Sequence, residues 1–255
     1  MEEIKLRNNI HPTAILEGEI RMGSRNTIGP NVVLRGNISM GDDNVLKAGV
    51  FIENNVTIGH QNIFYPYACI GSFGEMGAKG DRFVEEGGVA IGNENVFREF
   101  VCIHSPVYTY ETYIGSQVYI MNKSYVAHDC SIADGVVMSA GVLLGGRVEI
   151  GKYANLGLGV TIHQRIYVGA FSMLGMQAVV TKDILPYSLV TGNPARIQRF
   201  NAAGGERAGL DEKSISEMEV LFVSGSFEGY VSQNRAWNEV KSFLATHPNS
   251  LIARK

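Results

Sequence analysis

The stretch YIMNKSYVAHDCSIADGVVMSAGVLL, residues 119–144, places an apolar residue at every sixth position. The repeated positions are held by Ile120, Val126, Ile132, Met138 and Leu144. A period of six fits neither the 3.6-residue turn of an amphipathic helix nor the simple alternation of a half-buried strand. It is typical of a short strand with inward side chains followed by a corner, which is the repeat of a hexapeptide β-helix.

The same period covers most of the chain. It begins at Ile10, breaks at 72–90 and at 104–113, and then runs without interruption from Ile114 to Val180. Three hexads close a triangular coil of about 18 residues, and coils stack at roughly 4.8 Å. Glycine often follows the apolar residue, and we expect it to help the chain round the corners because it tolerates unusual dihedrals.

These observations predict an all-β fold, a parallel β-helix over residues 1–196 with loops at 72–90 and 104–113. Because a solenoid core needs nothing from such interruptions, both loops are candidate functional segments. Period alone does not determine the hand of the coil.

Composition excludes several classes of function. The net charge of −3 argues against a nucleic-acid-binding surface, and no apolar run approaches the roughly 18 residues of a membrane span. The N-terminal sequence lacks the pattern of a signal peptide, so we expect a cytoplasmic protein. Cys69, Cys102 and Cys130 have no paired spacing, which predicts buried thiols, not a disulfide or zinc framework.

The tail, residues 197–255, changes to a helical pattern. Asp211 is a good N-cap, and two apolar faces follow at helical spacing. The faces contain Ile215, Met218, Leu221 and Phe222, then Trp237, Val240, Phe243 and Leu244. We expect this helical region to cover the open end of the prism, which otherwise presents unpaired strand edges.

The 18-residue coil brings polar residues together at one corner. His128 lies two positions past the inward Val126, so it points away from the core, and successive coils stack it against Gly146 and then Gln164. The same outer edge carries Asp129, Arg147 and His163. Sequence adjacency to His128 does not fix the direction of the Asp129 side chain.

That edge has the elements of an acyl-transfer site. A histidine can take a proton from a hydroxyl or amine nucleophile. A glycine one coil away lets a substrate approach the backbone, whose N–H can donate to an oxyanion. We therefore predict His128 as general base and Gly146 as oxyanion donor.

An outer edge of a single prism is convex, whereas catalysis needs a cleft that excludes water. Prisms packed side by side in a ring form such clefts between neighbours, so we predict a cyclic homotrimer with three equivalent sites. His104 and the 72–90 loop are then expected to reach the site from an adjoining face or subunit.

Several motifs resemble the acyl-carrier-protein:UDP-N-acetylglucosamine O-acyltransferases, which begin lipid A biosynthesis. The matching motifs are REFVCIH (98–104), AHDC (127–130), GGRVEIG (145–151), TIHQ (161–164), GNPA (192–195) and RAGL (207–210). Many acyltransferases share the hexad, so AHDC followed by HQ and RAGL is the more specific signal. The resemblance implies a left-handed coil, a trimer and an acyl carrier protein as partner.

By that resemblance, His128 matches the general base that acts on the sugar 3-hydroxyl, Asp129 matches the acid beside it, and Gly146 matches the oxyanion donor. Substrate-contacting positions fall at His104, Arg147, His163 and Gln164, and nucleotide- or carrier-contacting positions at Asn201 and Arg207. Met176, stacked on Leu158, matches the position that limits the acyl groove. A bulky methionine there predicts a shorter acyl chain.

This chain also departs from the family pattern. Ser124 and Arg147 stand where the family has histidines. The aspartate and lysine that hold the sugar fall at Met76 and Ala78, with Glu75 and Lys79 as candidate substitutes. The departures concern sugar and nucleotide recognition, so the acceptor can be a different nucleotide sugar.

The sequence thus predicts an acyltransferase that moves a 3-hydroxyacyl group from acyl carrier protein to the 3-hydroxyl of UDP-N-acetylglucosamine or a related nucleotide sugar. The transfer is direct and needs neither metal nor cofactor, because the acyl thioester is the donor substrate. Two alternatives stay open: a coenzyme-A-dependent N- or O-acyltransferase acting on another nucleotide amino sugar, and a non-catalytic β-helix scaffold.

Overall fold

A computed structural model describes residues 2–75, 84, 86–225, 227 and 229–247. After a short N-terminal helix, α1 (Glu2–Arg7), the chain winds as a left-handed parallel β-helix. The prism has three faces, and each strand pairs in parallel with the strand one coil away on the same face. The predicted fold class is therefore confirmed.

The first face contains β1 (Asn9–Ile10), β3 (Thr27–Ile28), β5 (Val45–Leu46), β7 (Ile63–Phe64), β10 (Val96–Phe97), β13 (Tyr119–Ile120), β16 (Val137–Met138), β19 (Asn155–Leu156), β22 (Met173–Leu174) and β24 (Ser188–Thr191). The second and third faces share β2 (Ile15–Met22), β4 (Val33–Met40) and β6 (Phe51–Ile58), which run on from one face to the other. The second face continues with β8 (Cys69–Ser72), β11 (Cys102–His104), β14 (Tyr125–Val126), β17 (Leu143–Leu144), β20 (Thr161–Ile162) and β23 (Val179–Val180). The third continues with β9 (Gly88–Ile91), β12 (Glu111–Ile114), β15 (Ser131–Ile132), β18 (Glu149–Ile150) and β21 (Tyr167–Val168).

The hexad residues form the core of the prism. Ile120, Val126 and Ile132 are fully buried, and so are the equivalent residues of the coils above and below. The third residue after most of them takes a φ near +60°, as Lys123 and Asp129 do, and this left-handed residue turns each corner. Non-glycine residues occupy most of these positions, so the fold accepts the backbone cost at nearly every corner.

The expected role of glycine after the apolar residue is wrong at most positions. Of the glycines considered for that role, Gly71 has a positive φ, whereas Gly29 and Gly41 do not. Glycine is needed there because the coils stack closely. A Cβ added to Gly29 would lie 2.9 Å from the carbonyl oxygen of Leu46 in the next coil, which is closer than side-chain atoms can approach.

Buried asparagines connect successive coils through the prism interior. The backbone N–H of Asn44 donates to Oδ1 of Asn26 at 2.8 Å, and that of Asn62 donates to Oδ1 of Asn44 at 2.9 Å. Each side-chain amide also donates to a glycine carbonyl, such as Asn44 to Gly59 at 3.0 Å. These bonds satisfy polar groups in a core where an unpaired one would be costly.

Both interruptions of the period leave the prism at the same edge. The first lies between β8 and β9, the second between β11 and β12, and both therefore join the second face to the third. Strand pairing extends to Ser72 and resumes at Gly88, and the second insertion is 105–110. The predicted loops at 72–90 and 104–113 are thus too long by a few residues, because their ends join the ladders. Residues 76–83 and 85 of the first lie outside the described part of the chain.

The tail packs on the last coils. β25 (Arg196–Phe200) pairs antiparallel with β24, and α2 (Ala202–Arg207), α3 (Glu212–Ser224) and α4 (Arg235–Thr246) follow. Strand structure therefore continues four residues past the predicted boundary at 196. Asp211 caps α3, accepting a hydrogen bond from the Ser214 N–H at 2.8 Å, as expected.

A series of aromatic contacts connects the prism to this tail. Phe171 stacks on Tyr187 with ring centroids 5.2 Å apart, Tyr187 lies 5.7 Å from Phe200, and Phe200 lies 5.5 Å from Phe222 of α3. These buried rings extend the apolar core into the helices, so the helical tail covers the last coil. No helix among the described residues is long and apolar enough to cross a membrane.

Candidate active site

His128 lies at the corner between β14 and β15, and Asp129 holds its ring. Asp129 is the left-handed corner residue, with φ of 61°. This turn brings Oδ2 of Asp129 to 2.6 Å from Nδ1 of His128. The histidine side chain is 14% exposed and the aspartate side chain is fully buried. The sequence did not fix where the Asp129 side chain points, and the structure shows that it points toward His128.

The second insertion wraps the other oxygen of the same carboxylate. Oδ1 of Asp129 accepts hydrogen bonds from the backbone N–H groups of Val107, Tyr108 and Thr109, the last at 2.7 Å, and from Oγ1 of Thr109 at 2.6 Å. A cluster of backbone N–H groups around a carboxylate is an anion-binding nest. Asp129 thus positions His128 and anchors the 105–110 segment at once.

These contacts determine the charge of Asp129. Burial by itself raises its pKa, but the hydrogen bonds from Thr109 and His128 outweigh burial, so the pKa lies below the ordinary value of 3.8. The ionised carboxylate accepts the proton on Nδ1 of His128. Nε2 is then the unprotonated ring nitrogen of the neutral histidine, and among the described residues it has no hydrogen-bond partner.

Gly146 lies directly against the histidine ring, one coil away. The backbone N–H of Arg147 donates to the carbonyl of His128 at 3.0 Å, which fixes the stacking of the two corners. A Cβ added to Gly146 would lie 2.5 Å from Cε1 and 2.7 Å from Nε2 of His128. Within the part of the chain that the structure describes, the Gly146 N–H donates to no protein acceptor. The His128 ring and the Gly146 backbone therefore share one small space.

That space is a cavity of about 320 Å³. Its lining consists of Glu75, Tyr108, His128, Gly146, Arg147, Gln164 and Arg165. We expected a single prism to offer only a convex edge here. The structure instead has a recess within one chain, lined in part by Glu75 of the first insertion and Tyr108 of the second. Gly74, for example, packs so tightly that an added Cβ would lie 2.8 Å from the Cβ of His128.

β8 and β11 both end at the His128 edge of the same chain, so His104 and the described start of the first loop lie toward that edge. Their contribution to the site of a neighbouring subunit stays a prediction. His104 is buried, with Nδ1 at 3.3 Å from the hydroxyl of Tyr125. Of the candidate sugar-binding residues, Glu75 lines the cavity, whereas Met76, Ala78 and Lys79 lie outside the described residues.

Six predicted site residues do not line this cavity, namely Asp129 and His104, which are described above, and four others. His163 is exposed, and its Nδ1 donates to the carbonyl of Gln164 at 3.2 Å. Met176 is 70% exposed and lies on another edge, between the first and second faces, above Leu158. Asn201 is buried, with its amide donating to the Phe171 carbonyl at 2.7 Å, and Arg207 is exposed in the last turn of α2. Their assignment to substrates stays a prediction.

The sequence reasoning missed three residues of the site. Tyr108 and Thr109 lie in the period break at 104–113, where nothing in the hexad indicates a partner for His128. Arg165 had a usable signal, because it stands 18 residues after Arg147 at the same corner position. The ring of Tyr108 lies 5.7 Å from that of His128 and 4.2 Å from Cζ of Arg147, so it covers one side of the cavity.

Other features of the described chain offer less chemistry. A larger cavity of about 1070 Å³ lies in the tail, lined by residues such as Phe227, Trp237 and Leu244, but it contains no acid–base pair. The described residues contain no group of three or more His, Cys, Asp or Glu side chains arranged to hold a metal ion. Cys69 and Cys102 are half-buried and Cys130 is buried, so the expectation of three buried thiols is correct for one.

We expect the substitution Gly146→Ala to abolish most activity without unfolding the protein. The added methyl collides with Cε1 and Nε2 of His128, so the ring must move away from the donor N–H. Loss of an oxyanion donor alone costs about 10²–10³-fold in kcat, and the measurement is steady-state acyl transfer. Gly141→Asn is the control, since Gly141 has open space around it and asparagine tolerates its φ of 70°. Wild-type turnover in Gly146→Ala would contradict the assignment.

Known proteins share the hexapeptide repeat and the fold of this chain. The family model "Bacterial transferase hexapeptide (six repeats)" matches residues 111–146, which include the His128 corner. An acyl-[acyl-carrier-protein]–UDP-N-acetylglucosamine O-acyltransferase of Gloeothece citriformis is 32% identical over 111 residues, covering 44% of this chain and 40% of that protein. The protein of the same name from Burkholderia orbicola is 32% identical over 118 residues, covering 45% of each chain. These matches span less than half the length of the curated relatives.

Solved structures match over nearly the whole chain. The UDP-N-acetylglucosamine acyltransferase of Campylobacter jejuni has a TM-score of 0.86 at 25% identity, covering 97% of this chain and 100% of that one. The Francisella novicida enzyme of the same name has a TM-score of 0.85 at 26% identity, covering 96% and 94%.

Fold and site together define a hexapeptide-repeat β-helix protein with a histidine–aspartate pair at one corner. Within that class, the chain is similar to the UDP-N-acetylglucosamine O-acyltransferases, and this similarity confirms the resemblance seen in its sequence.

Proposed function

We propose that the protein is an acyltransferase that moves a 3-hydroxyacyl group from an acyl carrier protein thioester to a hydroxyl of a nucleotide sugar. The acceptor is UDP-N-acetylglucosamine, acylated at its 3-hydroxyl as in the first step of lipid A biosynthesis, or a related sugar. One observation carries the proposal. Nδ1 of His128 is held by the ionised Asp129, and the rest of the ring lies against Gly146, whose N–H donates to no described acceptor, in a single cavity.

The reaction proceeds by direct transfer. Nε2 of His128 removes the proton from the acceptor hydroxyl as its oxygen attacks the thioester carbonyl carbon. The new C–O bond leaves negative charge on the former carbonyl oxygen, which accepts a hydrogen bond from the Gly146 N–H. When the intermediate collapses, the C–S bond breaks and the protonated His128 returns the proton to the leaving thiolate. Asp129 stabilises the imidazolium between these two steps.

The remaining predicted residues fit this reaction if the protein is a homotrimer. His163, Met176, Asn201 and Arg207 lie outside the His128 cavity of their own chain, so in a trimer they are available to a neighbour's site. In this proposal, Met176 ends the acyl groove and favours shorter chains, and the tail residues contact the nucleotide or the carrier. Acyl carrier protein as donor indicates the cytoplasm as the compartment.

The test is an acyl-transfer assay of the full chain with two sets of donors. Acyl carrier protein and coenzyme A thioesters of several chain lengths are each incubated with UDP-N-acetylglucosamine and with other nucleotide sugars. Mass spectrometry of the products identifies the donor, the acyl length and, after mild alkaline hydrolysis, whether the new bond is an ester or an amide. We expect an ester from the carrier-protein donor with a short or medium chain.

Other results separate the alternatives. Transfer from coenzyme A alone, or formation of an amide, supports the second candidate, which the unusual residues at the sugar-binding positions favour. A preference for the longest acyl chains contradicts the role of Met176. No turnover with any thioester supports a scaffold and overturns the proposal.

A further inference from the structure

Where two charged residues stack on successive coils of this β-helix, several such pairs carry opposite charges. Arg35 pairs with Glu17 at 2.8 Å and Arg25 with Asp43 at 2.7 Å, and both pairs are 18 residues apart. Lys152 and Asp134 form a further pair of this kind at 3.2 Å. Because like charges in directly opposed strand positions destabilise the sheet, this pairing is the arrangement expected of a corner with only a structural role.

The corner beside His128 breaks this pattern. Arg147 and Arg165 are also 18 residues apart, both adopt the left-handed corner conformation with φ of 61° and 62°, and both line the same cavity. The backbone N–H of Arg165 donates to the carbonyl of Gly146 at 2.9 Å, which places the second arginine one coil beyond the oxyanion donor. Asp129 occupies the same corner position one coil before Arg147, but its carboxylate is taken by His128 and by Thr109. The two positive charges therefore stack on each other without a carboxylate between them.

Neither guanidinium is neutralised by a described carboxylate. Arg147 lies over the face of Tyr108, and its Nε is buried without a hydrogen-bond partner. Arg165 is exposed and forms no ion pair with any residue that the structure describes. Glu75 lines the same cavity, but among the described residues no ion pair joins it to either arginine.

We propose that Arg147 and Arg165 bind an anionic group of the acceptor, a carboxylate or a phosphate, beside the hydroxyl that is acylated. A guanidinium presents paired N–H donors that match either group, and an anion between the two arginines removes their repulsion. The inference rests on the proposed function for the position of the acceptor.

The acceptor is a better source of this anion than the acyl donor. In an acyl carrier protein or coenzyme A thioester, the whole pantetheine arm separates the phosphate from the sulfur. The carbonyl carbon lies at His128 and Gly146, so the donor phosphate is far from Arg147. An acceptor places either its own ring carboxylate or its diphosphate within a few bonds of the reacting hydroxyl.

The test compares Arg165→Gln and Arg147→Gln with wild type on two acceptors. One is UDP-N-acetylglucosamine, and the other is the corresponding uronic acid, which adds a carboxylate to the ring. Binding of each nucleotide sugar is measured by calorimetry without acyl donor, and kcat/KM is measured with it. Arg25→Gln is the control, because it loses the stacked partner Asp43 far from the cavity.

Loss of a charged hydrogen-bonding partner is expected to weaken binding and kcat/KM by about 10–100-fold. If the anion is a ring carboxylate, the loss appears only with the uronic acid. If the anion is the diphosphate, binding and kcat/KM decrease by the same factor with both acceptors. Unchanged binding and kcat/KM in both variants, or a change confined to the KM of the thioester, would overturn the proposal.

The two proposals fail separately. If wild-type protein acylates nothing but binds the nucleotide sugars in an Arg165-dependent way, the acyltransferase assignment fails and the anion site stands. If the protein acylates its acceptor and the arginine variants behave as wild type, the acyltransferase assignment stands and the anion site fails.

Discussion

His128→Ala is expected to lower kcat for acyl transfer by about 10²–10⁴-fold, the contribution of a positioned general base. The variant removes the imidazole ring that lies against Gly146, and His128 is the only histidine in the lining of this cavity. Turnover is measured under saturating donor and acceptor, so that the change is assigned to the chemical step and not to binding.

The fold should survive this substitution. The His128 side chain lies outside the apolar core, and its backbone carbonyl still accepts from the Arg147 N–H. Circular dichroism and thermal unfolding check this point. His11→Ala is the matched control, since His11 is an exposed histidine near the N-terminal end of the prism. Turnover of His128→Ala near the wild-type value would show that another group accepts the proton.

Asp129→Asn is expected to cause a loss of similar size, about 10²–10⁴-fold in kcat. The carboxylate accepts the Nδ1 proton of His128 through Oδ2 and accepts several N–H groups of the 105–110 segment through Oδ1. An amide has only one acceptor oxygen, so it must either present its NH₂ to the histidine or withdraw an acceptor from the segment. If the NH₂ donates to Nδ1 of His128, the ring proton moves to Nε2, which is the nitrogen that must be unprotonated to accept a proton from the acceptor hydroxyl.

The same variant changes the pH dependence of stability. The pKa of Asp129 is lowered in the folded protein, so the carboxylate contributes stability above its unfolded pKa of about 3.9. That contribution is lost as pH falls through the lower folded-state pKa. Between about pH 5 and pH 3, the free energy of unfolding measured in urea should therefore fall more steeply with decreasing pH for wild type than for Asp129→Asn.

Asp134→Asn is the control for both measurements. Asp134 is also a corner carboxylate whose pKa is lowered, chiefly by the hydrogen bond from the Ser116 N–H, and its partner is Lys152, not a histidine. It should keep normal turnover while it shows a comparable change in acid stability. If both variants lose activity equally, the effect of Asp129→Asn comes from the fold and not from His128.

The fold and the position of His128 were predictable because the information is periodic. A six-residue repeat with buried residues such as Val126 and Ile132 specifies strands and corners wherever it occurs. The 18-residue coil then stacks His128 on Gly146, and the structure has Gly146 in contact with the histidine ring. The same rule could have predicted Arg165 as a site residue, because it stacks Arg165 on Arg147.

The repeat predicted the correct fold, but the role it suggested for the glycines was wrong. Glycine after the apolar residue suggested conformational freedom at the corner. In the structure, the chain turns two residues later, at positions such as Lys123, and Gly29 is needed because the neighbouring coil is too close for a Cβ. The sequence records that a small residue is required and does not say which contact requires it.

The sequence by itself determined the β-helix, the helical tail and the edge on which His128 lies, because each follows from spacing along the chain. Only the tertiary structure decided that Asp129 turns toward His128 and that Val107, Tyr108 and Thr109 surround its carboxylate. It also decided that Glu75 and Tyr108, one from each insertion, line a cavity at this edge. These features depend on a rotamer and on aperiodic segments, whose conformations are selected by packing between residues about 20 positions apart. A repeat specifies where a corner stands, but contacts across coils determine what that corner can bind.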